Sequence, residues 1–162
     1  MEIAPAPVTV HLLADHERLI DAVGNMCWRE WGHAPEPEDR AWWVAVTARE
    51  AGRDRLPVKW VAIDKRGGAL GSVGLGVFDI EERQDRSPWV LGMIVRPDRR
   101  GMGVGGLLMA HLEAWSKGQG YAQVWVATGG RAIGFYRKCG WAMSETVERA
   151  SGEVASVLTK HL

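Results

Sequence analysis

The stretch Arg99-Arg100-Gly101-Met102-Gly103-Val104-Gly105-Gly106 indicates the fold most directly. It follows an apolar segment with strand composition, 89–95, and precedes an amphipathic helical segment, 104–117. Its glycines leave the backbone N–H groups open, and the start of a helix adds unpaired N–H groups and the positive end of its dipole. Arg99 and Arg100 add side chains that bind phosphate in bidentate fashion. The segment therefore predicts a pyrophosphate-binding loop.

Spacing separates this loop from two other kinds of phosphate-binding loop. A Walker loop ends in Gly-Lys-Ser/Thr, whereas Gly106 is followed by two leucines. The dinucleotide pattern G-x-G-x-x-G is present from Gly101 to Gly106, but it requires an acidic residue about twenty positions later. Residues 114–144 contain no Asp or Glu. We therefore exclude the first kind of loop and set the second aside.

A third pattern, Arg/Gln-x-x-Gly-x-Gly/Ala, is met by Arg100, Gly103 and Gly105. The later segment Phe135-Tyr136-Arg137-Lys138-Cys139-Gly140-Trp141 is similar to Phe-Tyr-x-x-x-Gly-Phe. Together these motifs resemble the Gcn5-related N-acetyltransferase (GNAT) family from about residue 70 to the last residue. Gly129 departs from the pattern, because family members often carry there an asparagine that helps hold the pantetheine arm.

The resemblance implies a mixed α/β (α+β) fold, with a largely antiparallel twisted sheet flanked by helices in the order β-α-α-β-β-β-α-β-α-β-β. Hydrophobic periodicity and turn residues predict strands at 8–13, 58–65, 69–80, 89–95, 122–127, 141–148 and 154–159. They predict helices at 15–31, with Asp15 as the N-cap, and at 38–51, 104–117 and 131–139. The predicted buried face of the third helix comprises Val104, Leu107, Leu108, Leu112 and Trp115.

Composition narrows the possible functions of the chain. Its 162 residues fit a single domain, 1–162, and its 20 basic and 20 acidic side chains leave no net charge. Neither a nucleic acid nor a membrane surface is therefore implied as a partner. Cys27 and Cys139 lie far apart without metal-ligand spacing, which argues against a zinc site and a disulfide framework. With no leader pattern and no apolar run of membrane length, we expect a cytoplasmic protein that binds no metal.

The resemblance also implies a cofactor and the residues that would bind it. The cofactor would be acetyl-coenzyme A (acetyl-CoA), with its pyrophosphate on residues 99–106. The backbone of Met93, Ile94 and Val95, where family members carry a bulge in the strand, would hold the pantetheine arm and the thioester oxygen. Tyr136 would contact the cofactor and protonate the leaving sulfur, as the matching tyrosine is thought to do in the family.

Acyl transfer to an amine also needs a base, because a free alkylamine is almost fully protonated at neutral pH. The 89–95 strand contains no carboxylate, so we look for the base in the preceding loop. Asp79 and Glu82 are our candidates for this catalytic role. Glu81 and Asp85 lie in the same segment, and the four carboxylates together would attract a cationic amine.

Nine tryptophans are many for a chain of this length. In relatives, the first two helices overhang the acceptor cleft, so Trp28, Trp31 and His33 are candidate substrate contacts, as is Trp89 at the start of its strand. An apolar or aromatic acceptor, or a cation, would suit such rings. The alternative is that these rings pack the two helices together or form a homodimer contact.

These observations lead to three functional hypotheses. The first is an enzyme that transfers acetyl from acetyl-CoA to a primary amine of a small molecule by direct attack in a ternary complex. The second is the same reaction on a protein or peptide amine. The third is an acyl-CoA-binding module without catalysis, which the glycine at position 129 and the absence of a clear base would suit.

Overall fold

The alternating apolar segments form a seven-stranded sheet in the computed structural model, which describes residues 7–33 and 37–162. The strands are β1 (Thr9–Leu12), β2 (Val58–Ile63), β3 (Ala69–Gly76), β4 (Trp89–Val95), β5 (Gln123–Thr128), β6 (Ala142–Glu148) and β7 (Val154–His161). The helices are α1 (Ile20–Trp31), α2 (Arg40–Glu50), α3 (Val104–Gly118) and α4 (Ile133–Lys138). The sheet order is β1-β2-β3-β4-β5-β7-β6, and only β4 and β5 pair in parallel. The predicted mixed fold is confirmed.

Helices cover both faces of the sheet, as alternation along β2 shows. Trp60 and Ala62 face a cluster that contains the buried residues of α3 and also Tyr136. Val61 and Ile63 face the opposite way, into a cluster with the buried residues of α1. The sheet therefore separates the α3/α4 side from the α1/α2 side, and any site that passes between its strands has access to both.

Several element boundaries differ from the sequence-based predictions. The first helix starts at Ile20 instead of near Asp15, because two short 3₁₀ turns precede it and the Asp15 carboxylate pairs with Arg53 instead of capping. In α2 the Asp39 carboxylate does cap the helix, accepting from the Trp42 N–H at 2.7 Å. The prediction that Leu107 is buried was wrong: it is 42% exposed. Within the described ranges, no helix has the length and apolar character that crossing a membrane requires.

Close packing between α3 and α4 fixes the start of α3 against the tyrosine-bearing helix. A Cβ atom on Gly105 would lie 2.8 Å from Cε2 of Phe135 and 3.1 Å from Cε of Met93. The neighbouring Gly106 is exposed, and a Cβ there would meet nothing within 4 Å. Glycine at position 105 is thus required by a tight contact, whereas position 106 lies on an open surface with room for a side chain.

We predict opposite stability effects for alanine at these two positions. Gly105→Ala should lower the free energy of unfolding by about 1–3 kcal/mol because the added methyl overlaps the Phe135 ring. Gly106→Ala should raise it by about 1 kcal/mol because alanine favours the helix over the unfolded chain. Urea unfolding followed by circular dichroism measures both, and equal effects at the two sites would contradict this packing.

Candidate active site

The site begins where β4 and β5 separate. These two strands pair only at Trp89 and Trp125, whereas β5 pairs with β7 at six successive positions, from Gln123 to Thr128. Beyond Trp89 the edge of β4 therefore faces a gap, which we term the β4–β5 opening. Backbone groups that line it are free of the ladder that would otherwise use them.

A bulge in β4 turns backbone groups toward this opening. Ser72 on β3 pairs with Ile94 and Gly74 pairs with Leu91, so β4 has one residue more than β3 over this interval. Gly92, inside the bulge, has a φ of +50°, in the left-handed region that glycine tolerates. The bulge implied by the family resemblance is therefore present in the segment that holds Met93.

Hydrogen bonding at the end of β4 shows which backbone groups face the opening. The Arg96 N–H donates to the Leu70 carbonyl of β3 at 2.8 Å. Because successive residues of a strand direct their amides to opposite sides, the Val95 N–H points toward the β4–β5 opening. This amide is available to a ligand that enters between the strands.

The glycine-rich loop presents a row of backbone donors beside the opening. Gly101 and Gly103 have φ values of +77° and +85°, and Gly103 is the N-cap of α3 without any side-chain capping bond. The first bonded amide is that of Leu107, which donates to the Gly103 carbonyl at 3.2 Å; within the described ranges, none of the N–H groups of residues 101–106 has an acceptor in the protein. A Cβ on Gly101, Gly103 or Gly106 would meet nothing within 4 Å. The loop is therefore an exposed cradle for an anion.

The arginines predicted to bind pyrophosphate are engaged inside the protein. Arg100 donates through Nε to the Val95 carbonyl at 3.0 Å and pairs with Glu30 of α1 at 3.1 Å. Nε of Arg99 lies 4.0 Å from the Asp98 carboxylate. Arg100 is thus hydrogen-bonded within the protein, whereas the guanidinium of Arg99 is only loosely paired, so the amides of the loop and Arg99 have free donors.

Tyr136 of α4 lies next to this loop in the core. It is 3% exposed, and its ring contacts Phe135 and Trp141 edge-on, with centroids 5.2 and 5.5 Å away. Its hydroxyl has no hydrogen-bond partner in the part of the chain that the structure describes. Burial raises the pKa of Tyr136, and the charges that Cys139 and Asp79 can carry raise it further. Tyr136 is therefore protonated at neutral pH and can act only as a proton donor there.

Asp79 follows β3 and lines a cleft at the end of β5, together with Thr128 and Arg149. Part of the residue reaches solvent, but the surrounding chain desolvates the carboxyl group and raises its pKa to about 6. Arg149 opposes this shift, and the negative charge of Glu50 adds to it. A carboxylate with a pKa near neutrality suits proton transfer in a cleft.

The other carboxylates of the same loop are in different environments. Glu82 accepts hydrogen bonds from Arg149 at 3.0 Å and from the Ala150 N–H at 3.1 Å. Hydrogen bonds from backbone amides, its own and that of Ala150, and the Arg149 pair hold the pKa of Glu82 below its usual range. Asp85 pairs with Arg86, which lowers its pKa also, while Glu81 is exposed. Of the four carboxylates expected to attract an amine, Glu82 and Asp85 therefore lie in ion pairs with arginines.

The predicted aromatic contacts divide between core and surface. Trp89 is fully buried, and its indole N–H donates to the Arg86 carbonyl at 2.9 Å. It therefore belongs to the core and is not placed to contact a substrate. Trp31, by contrast, is 40% exposed at the end of α1. Trp28 and His33 lie close to Trp31 in the sequence, and the ring centroids of Trp28 and His33 are 5.8 Å apart. The His33 side chain is hydrogen-bonded to the Arg29 carbonyl.

Sequence reasoning missed two charged residues of this region. Arg149, in the turn between β6 and β7, forms an ion pair with Glu82 and lowers the pKa of Asp79. Lys59 is 1% exposed in β2 and pairs with Glu50. A lysine inside the otherwise apolar segment Val58–Ile63 was a signal in the sequence for the second, because a charge is rarely buried without a partner. Within the described ranges, no group of three or more His, Cys, Asp or Glu side chains is placed to hold a metal.

Comparison with protein families gives the class of protein. The family model for the acetyltransferase (GNAT) domain matches residues 58–142, which include β4, the glycine-rich loop and Tyr136. The chain therefore belongs to the GNAT acetyltransferase family. No curated protein matches the sequence significantly.

Solved structures with the same fold cover nearly the whole chain. An aminoglycoside 6'-N-acetyltransferase complexed with coenzyme A is 13% identical, with a TM-score of 0.76 over 96% of this chain and 96% of that one. Ard1 from Thermoplasma volcanium is 18% identical, with a TM-score of 0.71 over 96% and 97%. A putative streptothricin acetyltransferase from Bacillus anthracis, in complex with acetyl coenzyme A, is 19% identical, with a TM-score of 0.60 over 71% and 67%. At these identities the likeness establishes the fold alone.

The environment of Asp79 generates a prediction about stability and pH. Its pKa is about 6 in the folded chain against an ordinary value of 3.8, so folding favours the protonated carboxyl group. The stability that this group contributes is complete below its ordinary pKa and is lost as the pH rises through 6. Asp79→Asn should therefore raise the free energy of unfolding at pH 8 and change it little at pH 3.5, as measured by urea unfolding.

Glu82→Gln is the matched control, because the pKa of Glu82 is shifted the other way. Its stabilising contribution is present above its ordinary pKa and is lost on acidification, so this variant should be less stable than the parent at pH 8. A loss of stability in Asp79→Asn at pH 8 would contradict the assignment, since it would mean that the Arg149 attraction outweighs desolvation.

Proposed function

We propose that this protein transfers an acetyl group from acetyl-CoA to a primary amine of a small molecule by direct attack in a ternary complex. The observation that carries the proposal is the arrangement of the β4–β5 opening. Free amides of residues 101–106 lie at one end, the β4 bulge lies along the edge, and Asp79 lies close enough for its charge to raise the pKa of Tyr136.

The residues present fit a coenzyme A pyrophosphate on the glycine-rich loop. Its amides need acceptors, its surface has room where side chains are missing, and the N-terminus of α3 contributes a positive dipole end. Arg99 and Arg100 lie beside the loop and would add charge to the same group if they exchanged their internal partners. The crystal complexes of two structural neighbours with coenzyme A or acetyl coenzyme A support this choice of ligand.

The chemistry divides among three groups of this chain. Bound acetyl-CoA would supply an acetyl thioester. Asp79, ionised above its pKa of about 6, takes a proton from the ammonium so that the neutral amine forms the new C–N bond. The Val95 and Met93 amides at the bulge stabilise negative charge on the thioester oxygen. As the C–S bond breaks, Tyr136 donates its proton to the sulfur, and the second proton lost by the attacking nitrogen returns to Tyr136, so that the amide and the free thiol form and the phenol is restored.

The shape of the acceptor side supports a small molecule over an extended polypeptide. An extended substrate would need an open groove between the first two helices and the final hairpin. The Glu82 carboxylate ties the loop after β3 to Arg149 and to Ala150 of that hairpin. This tie bridges one end of the cleft lined by Asp79 and Thr128.

Binding of coenzyme A can be tested at a position that does not strain the backbone. Gly106→Glu places a carboxylate on the open first turn of α3, where it favours the helix dipole but repels a pyrophosphate. We expect the dissociation constant for acetyl-CoA, measured by calorimetry, to rise about tenfold or more. Gly118→Glu, at the other end of the same helix, is the control and should bind as the parent does. Unchanged affinity in a folded Gly106→Glu variant would refute the loop assignment.

The proton donor can be tested by removing a single atom. Tyr136→Phe keeps the ring in its buried position, and because the hydroxyl has no partner in the described chain, the fold should be retained. We expect kcat in a thiol-release assay to fall by about a hundredfold with little change in acetyl-CoA affinity. Phe135→Leu changes the ring that packs against Tyr136 and is the control for the effect of repacking alone.

The choice of acceptors in that assay separates the three hypotheses. A panel of small amines, aminoglycosides, polyamines and peptides is offered with acetyl-CoA to the parent protein. Turnover of a small amine that is lost in Tyr136→Phe supports the proposal. Turnover of peptides alone would favour a protein acceptor, and tight acetyl-CoA binding without any turnover would favour a binding module.

A further inference from the structure

Lys59 is the most deeply buried charged side chain among the described residues. It is 1% exposed in the middle of the sheet, on the side covered by α1 and α2. Its Nζ atom lies 3.1 Å from Oε1 of Glu50, the last residue of α2, whose side chain is 23% exposed. A lysine side chain is almost never buried to this degree without a partner, and Glu50 is that partner.

Two glycines make room for this ammonium behind the β4 bulge. Nζ of Lys59 lies 3.3 Å from the place where a Cβ of Gly74 would be, and 3.3 Å from the equivalent place on Gly92. Gly92 is the left-handed residue of the bulge. Cζ3 of Trp31 lies 4.0 Å from the same place on Gly92. The charge therefore lies beside the part of β4 whose amides face the opening.

The surroundings of Lys59 leave its charge only partly compensated. An ammonium has three N–H donors, and within the described ranges one acceptor, Glu50, is present. From α1 the nearest titratable group is Cys27, and burial raises the pKa of that thiol, so it stays neutral. At their contacts with Lys59, β3 and β4 contribute glycines without charge.

The charge of Glu50 also reaches the proposed base. Arg149 lowers the pKa of Asp79, and the charge of Glu50 raises it. Glu153 lines the same cleft as Asp79. The charge of Asp79 in turn raises the pKa of Tyr136. Lys59 carries the opposite charge and lies 3.1 Å from Glu50 on its buried side. Removing either partner therefore changes the net charge of the pair from which Asp79 feels Glu50.

We propose that Lys59 and Glu50 are positioning residues that set the charge balance behind the β4 bulge for the amine and its base. This inference rests on the proposed function. A positive charge at this place disfavours the ammonium form of an incoming amine and favours negative charge on an oxygen held at the bulge. Glu50 holds that charge in place and moderates it.

The test is the titration of the Asp79 carboxyl group, followed by carbon-13 NMR on the protein without any ligand. Lys59→Met leaves the Glu50 charge uncompensated and should raise the pKa of Asp79. Glu50→Gln exposes the Lys59 charge and should lower it. We expect shifts on the order of half a pH unit in each direction. Titration of Asp79→Asn identifies the resonance.

A double variant separates electrostatics from structural damage. Lys59→Met/Glu50→Gln removes both charges and should return the titration toward that of the parent, even if Lys59→Met alone folds poorly. Arg53→Met, which breaks an exposed ion pair with Asp15, should leave the titration unchanged. Shifts in the same direction for both single variants, or no shift in folded Glu50→Gln, would overturn the inference.

Kinetics extend the test to the reaction itself. With any amine that the parent turns over, the pH of half-maximal kcat should move up in Lys59→Met and down in Glu50→Gln, with acetyl-CoA affinity unchanged. A purely structural role would lower kcat without moving the two profiles apart. Absence of turnover in the parent would refute the proposed function, whereas the NMR titrations decide the role of the ion pair independently.

Discussion

The structure depends on the loss of strand pairing between β4 and β5 beyond Trp89. A sheet that continued its ladder there would use the amides of β4 internally and would close the passage between its two faces. The bulge around Gly92 lies in the same unpaired stretch of β4, and the turn into α3 follows this strand. Packing of Gly105 against Phe135 then fixes the start of α3 against α4, the helix that carries Tyr136.

Ion pairs, and not the net charge of the chain, determine the charges around the loop after β3. The chain has no net charge, yet the loop after β3 carries carboxylates in two different states. Arginines hold Glu82 and Asp85 in the ionised form, while desolvation leaves Asp79 titrating near neutrality. One acidic group in the cluster therefore differs in its pKa from its neighbours, which form ion pairs.

Local pattern was sufficient to predict the elements and the family. Glycine spacing after a strand and the Phe135-Tyr136 helix identified the GNAT fold, and β4 was predicted with its observed bounds. The exposure of Leu107 escaped prediction because helical periodicity does not show that the first turn of α3 borders an opening. Nor could the sequence distinguish Asp79 from Glu82, because their difference arises from the desolvation of Asp79 and from backbone amides that bind Glu82, among them that of the distant Ala150. The roles of these site residues stay predictions.

The first turn of α3 is left without a side-chain cap, and this has a thermodynamic consequence. An anion that binds the free amides completes the helix and binds only the folded chain, so it must shift the unfolding equilibrium in proportion to the logarithm of its concentration. An anion bound there would therefore raise the chain's resistance to heat. The melting temperature of the chain would then depend on the concentration of that anion in solution.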